Sequence, residues 1–170
     1  RLVRTGGNNT AQNIGAYRVT TSWNEGTGNN NANTAIINGS TWLTTSFTTN
    51  WQSAGGDFNT TNGAVTSVSN STGGIGGTAI YGWDVTAITQ GWYASTFTNN
   101  GLILKDVLEN NGNDKVFGSL NNGTLGNRPV LRVTYEVTPG VPVVLDIQAS
   151  KDTWIQHEEN YETAHKPCQT

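Results

Sequence analysis

An all-β, antiparallel β-sandwich is the fold class that this sequence predicts, and three observations carry the expectation. Short runs rich in Val, Ile, Thr and Trp recur along the chain, separated by clusters of Gly and Asn. Helix formers are scarce and Met is absent. Only 12% of the 170 residues are charged, and Gly, Asn, Thr and Ser fill the polar surface instead, a composition of extracellular β proteins rather than of cytosolic helical enzymes. At this length one sizeable core is expected.

The strand signals are Arg1 to Thr5, Ile14 to Thr20, Thr41 to Phe47, Ala64 to Val68, Ala79 to Val85, Gly101 to Lys105, Asp114 to Ser119 and Val130 to Val137. In Leu131-Arg132-Val133-Thr134-Tyr135-Glu136-Val137 every second residue is apolar, so one face packs and the other meets water. Between the strands lie long loops of turn formers: Gly6 to Thr10, Asn24 to Asn33, Ser53 to Gly63, Asn70 to Gly77, Asn110 to Asn113 and Asn121 to Asn127. Gly and Asn tolerate positive φ, and Asn also hydrogen-bonds its own backbone. One short helical turn is expected over Asp84 to Trp92, where Val85, Ile88 and Trp92 share a face and Gly91 supports a stop. Asp84 there is read as an acceptor for backbone amides at the start of the turn.

Composition and charge exclude several function classes. The formal net charge is -3, with Arg and Lys scattered singly, which offers phosphates no basic stripe, so no nucleic acid is expected as a partner. The longest apolar run, Val141 to Leu145, is far too short to span a bilayer, and no membrane insertion is expected. The chain begins at Arg1 with neither Met nor a signal peptide, so a targeting segment is either removed or not included; an extracellular or cell-surface location is inferred from composition alone.

At Thr138-Pro139-Gly140-Val141-Pro142 the β pattern breaks, giving an expected division into a sandwich over 1–137, a Pro/Gly linker over 138–145 and a tail over 146–170. Within the tail, Lys151-Asp152-Thr153-Trp154-Ile155 looks like a further strand. The single cysteine, Cys168, is either an unpaired thiol near the end or a disulfide partner of another chain or of a Cys in a segment outside this sequence.

Five segments in order carry a family likeness: Ser22-Trp23-Asn24-Glu25-Gly26-Thr27-Gly28, Gly55-Gly56-Asp57-Phe58, Trp83-Asp84-Val85-Thr86 with Gln90-Gly91-Trp92, Gly101-Leu102-Ile103-Leu104-Lys105, and Arg128-Pro129-Val130-Leu131-Arg132-Val133-Thr134-Tyr135. Together they resemble the DNRLRE domain, a family similar to disaggregatase-related repeats that overlaps carbohydrate-binding modules. The resemblance implies a jelly-roll β-sandwich on secreted and surface proteins, often in tandem or beside glycanases, with some members binding acidic polysaccharide and no catalytic centre. The frame is offset, however. The family's opening strand and Asn-Tyr segment are matched at the far end, by Asp152-Thr153-Trp154-Ile155 and Asn160-Tyr161-Glu162-Thr163-Ala164, and two strands that follow them are missing. A sheet without its edge strands exposes backbone groups. Three explanations stand: a tandem array cut out of frame, a filament in which Asp152, Thr153, Trp154 and Ile155 add a strand to a neighbouring subunit, or a truncated chain.

No catalytic constellation is legible. His157 and His165 both lie in the tail, where they recur with Glu158, Glu162 and Cys168 at helical spacing; a polar connecting segment is the simpler reading, because Asn160, Tyr161 and Pro167 suit a helix poorly. Glu25, Asp57, Asp84, Asp106, Glu109 and Asp114 show no spacing that pairs carboxylates for glycoside hydrolysis. No cofactor is expected beyond a structural Ca²⁺ at Asp57, against the alternative of a turn-holding aspartate. Gly73-Gly74-Ile75-Gly76-Gly77 lacks the Lys and helix of a phosphate loop.

Of the six tryptophans, Trp42, Trp83 and Trp92 read as core, whereas Trp23 and Trp51 border Asn/Gly loops and are the sugar-contact candidates. Sequons at Asn8, Asn38, Asn59, Asn70 and Asn122 permit N-glycosylation, as Thr44, Thr45, Thr48 and Thr49 permit O-glycans. The leading expectation is a non-catalytic extracellular structural module, in a self-assembling filament or a tandem-repeat surface protein, whose partners are copies of itself or neighbouring domains joined through the tail. The alternative is a carbohydrate-binding module for acidic polysaccharide, attached to a glycan-degrading enzyme.

Overall fold

A computed structural model describes residues 1–27, 38–69, 74–109, 112–136 and 142–148. In chain order its elements are β1 (Leu2–Gly7), β2 (Gln12–Val19), β3 (Thr44–Ser46), β4 (Thr49–Asn50), β5 (Phe58–Val68), β6 (Ile80–Tyr81), α1 (Thr86–Tyr93), β7 (Leu102–Asp106), β8 (Lys115–Phe117), β9 (Val130–Glu136) and β10 (Pro142–Gln148), with single 3₁₀ turns at Ile75–Gly77 and Leu125–Asn127. Among the described residues every strand pairing is antiparallel, so the all-β class holds. Contacts group the chain into two compact units, one of Arg1–Asn9, Asn70–Gly82 and Asp114–Thr170, the other of Thr10–Ser69 and Trp83–Asn113. The expected linear division at 138 and 145 does not follow this grouping.

In the first unit β1 lies between β6 and β8. Its register opposes Leu2 to Tyr81 and Arg4 to Phe117, with a bulge between Arg4 and Gly6. Arg4 is buried, and its Nη2 donates to the carbonyls of Gly7 at 2.6 Å and Asn8 at 3.0 Å and to Asn9 Oδ1 at 3.1 Å, which fixes the exit from β1. The three acceptors share one nitrogen with two hydrogens, so at least one N–H is divided between two of them. Seven residues of β9 pair with seven of β10, from Val130 opposite Gln148 to Glu136 opposite Pro142. The stretch expected as linker is therefore paired strand from Pro142 onward, and Pro142 is tolerated because it is the strand's first residue.

In the second unit the strand order is β5-β2-β7. β2 opposes Ala16 to Ala64 but Arg18 to Asn59, so β5 carries extra residues in a bulge where Asn62 has a φ of 65°. This corrects the loop expected over Ser53 to Gly63: the turn formers at its end shape a bulged strand, not a connection. At Gly15 and Gly63 a Cβ would collide with the ring of Tyr17. Their missing side chains leave room for that ring, which stacks on Phe58 with centroids 5.4 Å apart.

Ile14, Ala16, Val19, Val68, Val85 and Ile88 form the buried apolar set of this unit, and Ile88 and Val68 are wholly enclosed. Ile88 belongs to α1, whose start is held by Asp84: its Oδ1 accepts from the Thr86 N–H at 3.0 Å, as the sequence predicts. The helix runs through Gly91 rather than stopping there, and the glycine is needed because a Cβ would strike Phe97. Two expected strands shrink. Thr41 to Phe47 becomes the small β3–β4 hairpin, and of Ala79 to Val85 only Ile80 and Tyr81 pair.

Candidate functional site

A cleft of about 360 Å³ opens in the second unit beside the β3–β4 hairpin, between Thr41, Trp42 and Trp51 on one side and β7 with Glu109 on the other. The hairpin entry positions its first aromatic. Thr41 Oγ1 accepts the N–H groups of both Leu43 and Thr44 at 3.1 Å, and pairs with Thr44 Oγ1 at 2.8 Å. This hydroxyl-capped turn takes Trp42 out of the strand alternation, and the residue is 59% exposed. The expectation that Trp42 is core is thereby corrected: the chain turns at Thr41 to Thr44 instead of running straight.

The neighbouring wall is closely packed. The Gly55 N–H donates to the Trp42 carbonyl at 2.7 Å, and Gly55 has a φ of +88°. A Cβ at Gly55 would lie 2.7 Å from Trp42 Cη2 and 2.8 Å from Lys105 Nζ, so only glycine admits both. Trp51 is held at two points, its backbone N–H on the Leu43 carbonyl at 3.0 Å and its Nε1 on the Thr41 carbonyl at 2.9 Å.

From β7 comes the cation. Lys105 Nζ lies 4.8 Å from the Trp42 ring centre and 5.1 Å from that of Phe58, with Glu109 Oε1 at 2.7 Å and the Gly55 carbonyl at 3.5 Å. Its side chain is only 11% exposed, whereas that of Glu109 is 39% exposed. Asp106 also borders the cleft; its Oδ2 accepts from Gln12 Nε2 at 2.5 Å and its Oδ1 from the Leu108 N–H at 2.9 Å. Chemically the cleft offers an aromatic face backed by a cation, an accessible carboxylate and the hydroxyl-bearing residues Ser40 and Thr41.

Of the two sugar-contact candidates, Trp51 lines this cleft and Trp23 does not; Trp23 Nε1 donates to the Asn100 carbonyl at 2.8 Å. Trp83 and Trp92 are half-buried, and Trp83 Nε1 donates to the Ile14 carbonyl at 2.7 Å. Trp42, Lys105 and Glu109 are the members that sequence reasoning missed. The Thr41-x-x-Thr44 spacing of a hydroxyl-capped turn was the available signal for Trp42, whereas nothing in the spacing of Lys105 and Glu109 distinguishes a strand-end ion pair.

Asp57, the Ca²⁺ candidate, is buried and bonded both within its own loop and to Thr21. Its Oδ2 accepts from the Gln52 N–H at 3.1 Å and from Thr21 Oγ1 at 2.9 Å, and its Oδ1 from the Ser53 N–H at 3.0 Å. The Gln52 N–H is the chief cause holding this carboxyl below its ordinary value of 3.8; burial opposes it, and Ser53 and Thr21 add to it. At Asp84 the hydroxyl and the N–H of Thr86 have the same effect. Among the described residues no three His, Cys, Asp or Glu side chains gather as a metal site, and no helix is long and apolar enough to cross a membrane.

The sequons differ in accessibility. Asn8 is exposed. Asn38 is exposed too, but its Nδ2 donates to Thr27 Oγ1 at 3.0 Å while its Oδ1 accepts the Thr27 N–H at 3.0 Å. Asn59 is half-buried in β5, and half-buried Asn122 turns its Oδ1 onto the Thr124 N–H of its own sequon at 2.9 Å. Asn70, the strand-addition segment Asp152 to Ile155, the tail histidines and Cys168 lie outside the described residues. No family model, curated protein or solved structure matches the chain.

Proposed function

We propose that the chain is a non-catalytic module of the cell exterior that contacts glycans through the Trp42 cleft. The observation that carries this reading is the open Trp42 ring, backed by Lys105 and flanked by Trp51. A sugar ring presents apolar C–H faces and a rim of hydroxyls; the first stack on an indole, and the second are met by a carboxylate and by Ser40 and Thr41. The DNRLRE-like segments point the same way. Titration of the protein with a panel of oligosaccharides, followed by tryptophan fluorescence, tests the reading. Binding that disappears in Trp42→Ala, with the fold intact by circular dichroism, supports it; no response to any glycan refutes it.

A second reading, assembly by strand addition, has its own observation. β10 follows the expected end of the sandwich, yet pairs along the whole of β9. A strand supplied after a break in the pattern is one that neighbouring copies can exchange. Regular fibres in negative-stain images, with matching light scattering, support self-assembly, and a monodisperse folded monomer rules it out.

A further inference from the structure

We infer that the Trp42 cleft selects uncharged pyranosides and turns away uronate chains. The inference rests on the glycan reading above and specifies its ligand class. Its ground is the charge on the wall: the lining's one ammonium, Lys105, is already matched by the Glu109 carboxylate, so the wall offers an anion no unpaired cation.

The ammonium, moreover, is already engaged. Glu109 Oε1 holds it at 2.7 Å, the rings of Trp42 and Phe58 cover it, and only 11% of its side chain reaches solvent. An incoming uronate would have to displace an intramolecular carboxylate, which competes at high effective concentration. It would also meet Glu109 as a like charge. A neutral pyranose faces neither difficulty. It lays its C–H surface on Trp42, more than half of which is open, and donates hydroxyls to Glu109, whose side chain is 39% exposed.

The test compares neutral hexasaccharides of glucose and mannose with oligogalacturonate and oligomannuronate of equal length. Tryptophan fluorescence is read at low and at high salt, on the native protein and on Glu109→Gln. The expected result is neutral binding that salt hardly alters, uronate binding weaker by about tenfold or more, and a narrowing of that gap in Glu109→Gln as Lys105 is released. Uronates that bind more tightly than neutral sugars, with affinity falling as salt rises, overturn the selectivity while leaving glycan contact standing. A gap unchanged by Glu109→Gln overturns it as well. Absence of binding to both classes overturns the glycan reading itself.

Discussion

Lys105 holds its ammonium 4.8 Å from the centre of the Trp42 ring and 5.1 Å from that of Phe58, so a single cation ties the cleft wall to the start of β5. Shielded cation–ring contacts stabilise more than exposed ones. Replacing Lys105 by Ala is expected to cost about 1–2 kcal/mol in chemical unfolding and to make Trp42 easier to quench with acrylamide. A variant that matches the native protein in both measurements would show that the ring is held by other means.

Ile88 is wholly enclosed, whereas Tyr93, at the far end of α1, is 94% exposed. Ile88→Ala should therefore lose about 2–5 kcal/mol of stability through lost burial and the cavity left behind. Tyr93→Ala should stay within about 0.5 kcal/mol of the native protein. Urea midpoints of the two variants decide the matter.

Gly63→Ala places a methyl group against the Tyr17 ring and near the Ala16 carbonyl. Forcing that ring off Phe58 should cost about 1–3 kcal/mol, as overpacking does, and flatten the near-ultraviolet dichroism of the stacked pair. Gly123→Ala is the control, since a Cβ there meets nothing within 4 Å and its φ is not positive.

The carboxyl of Asp57 titrates below its ordinary value of 3.8, so the folded protein binds fewer protons there than the unfolded chain does. The stabilisation from its three hydrogen bonds is complete above the unfolded value and drains away as pH falls through the lower folded one. Asp57→Asn lacks the charge at every pH. The gap in melting temperature between the two proteins should be widest near neutrality and close as pH drops below 3.8. A gap that persists unchanged to about pH 2 would mean that the charge contributes nothing.

Much of the fold is legible in the sequence because strand periodicity is local. The alternation in Val130 to Glu136 is a strand of that length, and Asp84 with Ile88 marks a helix that forms there. The bulge at Asn62 and the turn at Thr41 escape this kind of reading. The bulge depends on which partner strand the chain meets, and the turn on the local Thr41-x-x-Thr44 hydroxyls; period alone carries neither. The site follows the same rule. Trp51, next to a loop, is readable as a surface aromatic, whereas Trp42 sits among residues that alternate like a strand. The union of Lys105 with Glu109 and Trp42 exists only after β7 and the hairpin are brought together.

The order in which the strands find partners bears on synthesis. β2 pairs with β5 and β7, so its sheet is complete once Asp106 has been made. β1 must wait for Ile80–Tyr81 on one side and Lys115–Phe117 on the other. Closing such distant pairings is slow, and an unpaired edge invites the wrong neighbour meanwhile. As the chain leaves the ribosome, its first strand is thus among the last to be matched, and a nascent chain halted before Lys115 presents β1 with its β8 edge bare.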